Sequence, residues 1–430
     1  MLPVSSTRSS SDDSSRPSRG RTNRSSFLPS ADFRRFLFAR LVSGTGSVVA
    51  PIATTFALLR EHFSAGNIGI AFMSQGLAMA LFVLAGGVVA DRFSRRSVMI
   101  CTDVIRMATQ ALFAALLMSG RSSFPVYVVA LALLGGAQAF AMPALNGMVA
   151  TMLPAGDLQR GNSLRAFVSF SSTTFGPALA GILIATAGPA WALACDALSY
   201  AIDAVIMASL RFDLGRMPSR RSYLRDIGDG WKEFRRHQWL LPQTLQSAAW
   251  HMLVFAPFTV VGASVMQQRF AGRGSYAWGL ILAMEGVGAA IGALTWMWRK
   301  TRRPLRMANV ALAGYAVPVV LIAARAPMPA VLFSALFAGL GDATFDTLYD
   351  TTVQRSLRND YLARVSSFRS LTVACSVPIG YGLVAILTPV LGLAGMLWLA
   401  GMVGLVPAAC AFGVRAIRTK TLASVEPAMG

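Results

Sequence analysis

From residue 36 to residue 414 the chain alternates between apolar runs and short polar intervals in which arginine recurs. Twelve runs are separable, at 36–59, 68–90, 97–119, 124–150, 164–186, 190–210, 240–266, 275–298, 306–325, 328–350, 364–388 and 390–414. At about 1.5 Å per residue, each is long enough as a helix to cross a bilayer core of about 30 Å. The longest polar interval after the first run, 211–238, carries Arg216, Arg220, Arg221, Arg225, Lys232, Arg235 and Arg236 and divides six runs from six. The two sets echo each other. Leu134-Gly135-Gly136, Asp157-Leu158 and Gly176-Pro177 return as Phe337-Ala338-Gly339, Asp360-Tyr361 and Val377-Pro378, offset by about 200 residues, as expected of a repeated bundle. The pattern predicts an all-α polytopic membrane protein of twelve transmembrane helices in two six-helix bundles, 36–210 and 240–414. A linker (211–239) joins them, and residues 1–35 and 415–430 form the tails. Residues 1–35, rich in Ser, Arg and Pro and without apolar periodicity, are expected to be disordered. Within the linker, 223–234 has helical spacing of apolar residues, which suits an amphipathic helix along the membrane surface.

Composition agrees: 54% of the 430 residues are hydrophobic and 13% charged, with mean hydropathy +0.54, too apolar for a soluble chain of this size. A net charge of +20 could suggest a nucleic-acid partner, but its placement argues otherwise. Of the 39 Lys and Arg, only Arg60, Arg121, Arg269, Arg273 and Arg325 fall at the connections expected outside; the others cluster at the opposite helix ends. The positive-inside rule then puts both termini and the linker in the cytoplasm of a cell whose inner membrane holds the protein, with lipid and no nucleic acid as its surroundings. Cys101, Cys195, Cys375 and Cys410 lie in apolar runs without metal-binding or paired spacing and read as small packing residues. No cleavable signal peptide precedes the first run. No Ser/His/Asp set, metal cluster or phosphate-binding glycine loop is visible, so neither an enzyme nor a bound metal or cofactor is expected.

The second run ends in Gly86-Gly87-Val88-Val89-Ala90-Asp91-Arg92-Phe93-Ser94-Arg95-Arg96. Gly87 and Asp91 share a helical face, and Arg92, Arg95 and Arg96 follow at the membrane boundary. Taken alone these residues would also suit an ordinary helix end with topology-setting arginines. Together they resemble the signature of the major facilitator superfamily between its second and third helices, Gly-x-x-x-Asp-Arg-x-Gly-Arg-Arg/Lys, with Ser94 in place of the second glycine. A second copy is degraded: Gly292 is followed by Trp296, not an acid, before Arg299, Lys300, Arg302 and Arg303. Gly176-Pro177-Ala178-Leu179-Ala180-Gly181 in the fifth run resembles the Gly-Pro-x-x-Gly-Gly motif of the family's drug/proton antiporters, with Ala180 in place of the first closing glycine; a generic kink of small residues and proline is the lesser alternative. Asp103-Val104-Ile105-Arg106, Asp157 to Leu164 and Asp360 to Val365 resemble the macrolide-efflux and enterobactin-exporter branch. Asp103 with Arg106, and Asp360 with Arg364, have the spacing of intrahelical charge pairs.

Ionisable residues inside membrane spans are costly and turn toward a cavity or a partner. Here they include His251, Glu285, Asp342 and Asp346, with Asp196 and Asp203 in the sixth run. His251 and Glu285 fall near the midplane, and Asp342, Asp346 and Asp350 form a stripe down one helical face. The resemblance implies that helices 1, 4, 7 and 10 line the cavity and helices 3, 6, 9 and 12 lie outside, which favours His251, Asp342 and Asp346 and discounts Asp203. Gln75, Gln138 and Asn146 are read first as interhelical hydrogen bonders. The function implied is secondary efflux of a small amphipathic drug or metabolite by a monomer, with the proton as coupling ion and Glu285 as first choice for the coupling acid. Export of a siderophore or another endogenous metabolite, and a non-transporting membrane sensor or scaffold of the same fold, are the competing readings.

Overall fold

The computed structural model describes residues 30–121, 123–153, 157–210, 231–299, 301–357 and 359–418. Helix α1 (Ala31–Arg60) begins where the Ser30 hydroxyl accepts the Phe33 amide at 3.2 Å, with Asp32 in the first turn. This corrects the expected boundary at 36. Phe33 and Phe36, whose rings lie 6.0 Å apart, are fully buried, so residues from 31 onward belong to the bundle. Residues 1–29 lie outside the described residues.

Helices α2 (Ala65–Arg92), α3 (Arg95–Met118), α4 (Phe124–Met152), α5 (Leu158–Thr186) and α6 (Pro189–Ser209) complete the first half. Ser64 and Asn67 close a reciprocal capping box at the start of α2. Ser94 caps α3 by accepting the Ser97 amide at 3.0 Å, in an extended conformation (φ −64°, ψ 133°). The position where the family signature has glycine therefore needs no left-handed backbone here, and serine serves as a helix cap.

The second half comprises α7 (Leu240–Arg269), α8 (Gly274–Trp298), α9 (Pro304–Ala323), α10 (Met328–Ser356), α11 (359–391) and α12 (393–413). The last two are one hydrogen-bonded run at Asn359–Gly404 that reverses at Gly392 (φ 70°), a left-handed conformation suited to glycine. Both Arg369 and Phe412 lie near the arginine-rich end, Arg369 against Asp346 and Asp350, and Phe412 under Arg306 at 4.6 Å. The chain has therefore turned back between them, giving twelve crossings among the described residues.

Close approaches rest on small residues. A Cβ on Gly135 (α4) would land on the Gln75 carbonyl of α2, and one on Gly339 (α10) on the Glu285 carbonyl of α8. These two contacts are equivalent places in the two halves. The sequence echo had paired Gly136 with Gly339; the structure moves the register by one residue, because Gly135 makes the backbone contact and Gly136 faces the Phe82 side chain.

The halves meet from the middle of the bundle to the end away from the arginine-rich loops. Gly69 and Gly76 of α2 lie against Tyr381 and Pro378 of α11, and Gly181 of α5 against Gly279 of α8. Of the linker, 211–230 lies outside the described residues, and 231–236 is helical. The surface helix expected over 223–234 is described only at its end. There Trp231 and Phe234 stack at 5.5 Å and both sit against Phe368 of α11, so this apolar face covers protein.

Candidate functional site

A cavity of about 280 Å³ in the second half brings together His251, Glu285, Asp342 and Asp346. His251 opens a π-helical turn in α7, in which the Ala256 amide donates to the His251 carbonyl. Such a turn widens the helix and re-aims side chains. The His251 Nδ1 lies 2.8 Å from the Ser247 carbonyl; since that oxygen only accepts, Nδ1 carries the proton. Trp250 stands edge-on to His251 at 5.0 Å and to Tyr315 at 5.1 Å.

Glu285 is placed by the glycine contact with α10 and accepts a hydrogen bond from the Tyr315 hydroxyl at 2.9 Å. Tyr315 sits where α9 is interrupted, between Pro304–Ala313 and Ala316–Ala323. Asp342 lines the cavity without a salt bridge or hydrogen bond to any described residue. Asp346 is paired with Arg369 of α11, which also holds Asp350 at 2.9 Å and covers the Tyr349 ring at 4.4 Å. Arg369 also lines a vestibule of about 290 Å³ between α10 and α11, with Tyr349, Asp350 and Leu362. The acidic stripe is thus divided: its outer two carboxylates share one arginine, and Asp342 is left open. Arg369 was missed from sequence, although an arginine inside the run 364–388 was a signal.

The first half holds a second cavity, of about 290 Å³, lined by Ser47, Gln75, Arg106, Gln110, Gln138 and Tyr200 among others. Gln75 and Gln138 make no side-chain hydrogen bond to another described residue, contrary to the expectation of interhelical bonding. The side chain of Asn146 lies outside the described residues. Behind this cavity is a buried charge network. Arg40 (α1) is paired with Asp203 (α6) and lies 4.0 Å from Asp103 (α3), which is 3.9 Å from Arg106. Asp196 accepts from Gln110 Nε2 at 2.8 Å. The Asp103–Arg106 pair exists as expected, but inside the bundle and shared with Arg40. Asp203, discounted from sequence, is fully buried and ties α6 to α1.

Of the signature, Arg96 donates to the Ala208 carbonyl in the last turn of α6, where a cation suits the negative helix end. The side chains of Asp91 and Arg92, like Gly87, fall outside the described residues, as do those of Asp360 and Arg364. In the degraded copy, Trp296 donates to Thr344 Oγ1 of α10 at 2.9 Å, so the indole ties α8 to α10. Gly176 lies under Val48 of α1, and a Cβ on Gly279 would sit 2.9 Å from the Pro177 carbonyl, so the antiporter-like motif is a packing seam between α1 and α8. The helix α5 runs through Pro177 without a break. Cys101, Cys195 and Cys375 are exposed on the bundle surface and do not pack inside it.

Comparison with known proteins bears on this architecture. The chain is 26% identical over 369 residues to the multidrug efflux pump Tap of Mycobacterium tuberculosis (strain ATCC 25618 / H37Rv), covering 83% of this chain and 87% of that one. It is 23% identical over 364 residues to macrolide efflux protein A of Streptococcus pyogenes, covering 82% and 88%. Among solved structures, the nucleoside transporter NupG superposes with a TM-score of 0.70 at 12% identity, over 91% of this chain and 100% of that one. A bacterial homologue of the iron transporter ferroportin does so at 0.67 and 16% identity, over 88% and 97%. The Major Facilitator Superfamily profile matches residues 36–271. With that match over more than half its length and the fold of two six-helix bundles, the chain belongs to the major facilitator superfamily and is a multi-pass membrane transporter.

Proposed function

We propose that the protein is a secondary efflux carrier of the cytoplasmic (inner) membrane that exchanges protons for a small amphipathic cation, with Glu285 and Asp342 as the exchanging acids. The observation that carries this reading is the charge inventory of one cavity. Among the described residues, Glu285, Asp342 and Asp346 line it together with a single arginine, Arg369, which is committed to Asp346 and Asp350. A carboxylate inside a membrane span costs insertion energy that a static scaffold would not require. The relatives named as multidrug and macrolide efflux proteins support export as the direction.

On this reading the arginine-rich end faces the cytoplasm. The conformer, joined at the far end through α2–α11 and α5–α8, is then the one open to the cytoplasm. A cation enters through the vestibule beside Asp350 and Arg369, meets the open carboxylate of Asp342, and displaces a proton from the Glu285 and Asp342 pair. Closure at the basic end and parting of the glycine seams at the other exposes it to the outside, where a returning proton releases it. Because one acid cannot hold proton and cation together, exchange is obligatory.

The test is substrate-induced proton release from the purified protein in weak buffer, with tetraphenylphosphonium as the cationic probe. Wild type should release protons on binding. Glu285→Gln should release fewer and lose proton-driven efflux at least tenfold while still inserting, and Asp342→Asn should weaken probe binding. Equal release by wild type and Glu285→Gln rejects Glu285, and binding without release rejects antiport.

A further inference from the structure

The two cavities are the same place in the two halves of the molecule. Five residues lining the first, Ser47, Pro51, Gln138, Ala141 and Met142, each have a counterpart 204 positions later lining the second: His251, Phe255, Asp342, Phe345 and Asp346. The glycine seam keeps that offset on α4 and α10, where Gly135 lies over the Gln75 carbonyl and Gly339 over that of Glu285; on α2 and α8 the two covered residues are 210 positions apart. Gln75 and Glu285 therefore occupy equivalent places on α2 and α8, and Gln138 and Asp342 on α4 and α10. At both, one half has the amide and the other the acid.

That difference decides what each cavity can bind. Among the described residues the first is lined by no carboxylate, and its cation, Arg106, is engaged by Asp103 at 3.9 Å and lies over the Tyr200 ring at 5.4 Å. The site offers a protonated amine no counter-charge. It does offer hydrogen bonds. Gln75 and Gln138 make no side-chain hydrogen bond to another described residue, and the Gln110 Oε1 is buried with no partner among them while its Nε2 is committed to Asp196. Three primary amides present donors and acceptors together, matched to hydroxyl, amide and carbonyl groups. Leaving such groups unpaired is costly, so a polar occupant is favoured over an apolar one. At about 290 and 280 Å³ each cavity has room for a fragment-sized group, at the lower edge of small-molecule pockets. They are also neighbours. Phe72, lining the first, packs its ring against that of Tyr381 of α11 at 5.4 Å, and Val373, lining the second, is eight residues away on that helix, about 12 Å.

We propose that the cavity of the first half is a second ligand subsite for an uncharged, hydrogen-bonding group, held by Gln75, Gln110 and Gln138, so that preferred substrates join such a group to a basic amine. The assignment of the amine end rests on the exchange reading of Glu285 and Asp342; the amide subsite does not.

The probes are chloramphenicol, uncharged and bearing hydroxyl and amide groups, and tetraphenylphosphonium, a cation without hydrogen-bonding groups. Both are measured by equilibrium binding to the purified full chain. Chloramphenicol should bind wild type without releasing protons and without competing with tetraphenylphosphonium. Gln75→Leu with Gln138→Leu should weaken chloramphenicol about tenfold, the scale of two lost neutral hydrogen bonds, and leave tetraphenylphosphonium within about twofold. Glu285→Gln should leave chloramphenicol within about twofold. Gln75→Asn with Gln138→Asn, which keeps the amides, should restore part of the affinity.

Direct competition between the probes in wild type overturns the proposal, and that measurement needs no variant. Parallel loss of both probes in the leucine variant overturns it too, as does binding of the cation alone, which would mean a cavity holding water only. If tetraphenylphosphonium releases no proton while chloramphenicol behaves as stated, the exchange reading fails and the amide subsite stands.

Discussion

Arg40 is the residue whose removal should damage the first half most. It is nearly buried between two fully buried carboxylates, paired with Asp203 and 4.0 Å from Asp103. Arg40→Met keeps an unbranched apolar chain of similar reach and deletes the charge. Asp103 then still has Arg106 at 3.9 Å, but Asp203 is left without any cation among the described residues. Removing one partner of a buried pair costs about 3–5 kcal/mol, because the stranded charge keeps its desolvation penalty. At about 2–4 °C per kcal/mol for a unit of 150–250 residues, the melting point should fall by on the order of 10 °C if the first half unfolds as a unit. The assay is thermal unfolding of the purified protein followed by tryptophan fluorescence, with size exclusion as a check on folding. The discriminating variant is the double one: Arg40→Met with Asp203→Asn should be more stable than Arg40→Met alone, since the stranded charge is gone. A loss under about 1 kcal/mol in the single variant, or strict additivity in the double, would refute the stranded-charge argument.

Gly279→Val places a side chain where a Cβ alone would sit 2.7 Å from the Gly181 Cα, so it should part α5 from α8. Overpacking of about 1–3 kcal/mol would shift the population toward the state opened at that end, read as increased labelling of a cysteine introduced nearby. Unchanged labelling would show that this seam does not gate. Asp91→Asn, in the signature of the second and third helices, should depress transport at equal membrane abundance and shift the population toward the conformer open to the cytoplasm. By the family resemblance, its charge meets the positive end of α11 in the opposite state. Wild-type transport by that variant would remove the acid from the conformational mechanism.

The apolar runs were enough to give the number of crossings and the membrane setting, because burial in lipid is a one-dimensional constraint on composition. The intramembrane acids were legible for the same reason: charge is rare there, so each instance stands out. Their partners were not. Tyr315 reaches Glu285 across 30 positions and Arg369 reaches Asp346 across 23, and nothing in either local sequence encodes such a pairing. Asp203 was discounted because its helix is peripheral, yet a peripheral helix still turns one face inward, where Arg40 meets it. The internal repeat was visible as an echo, but its register, and so the correspondence of Gln75 with Glu285 and Gln138 with Asp342, depended on which glycine touches which backbone. That is a property of packing, set by the absence of a single Cβ at a helix crossing, and only the tertiary structure decides it.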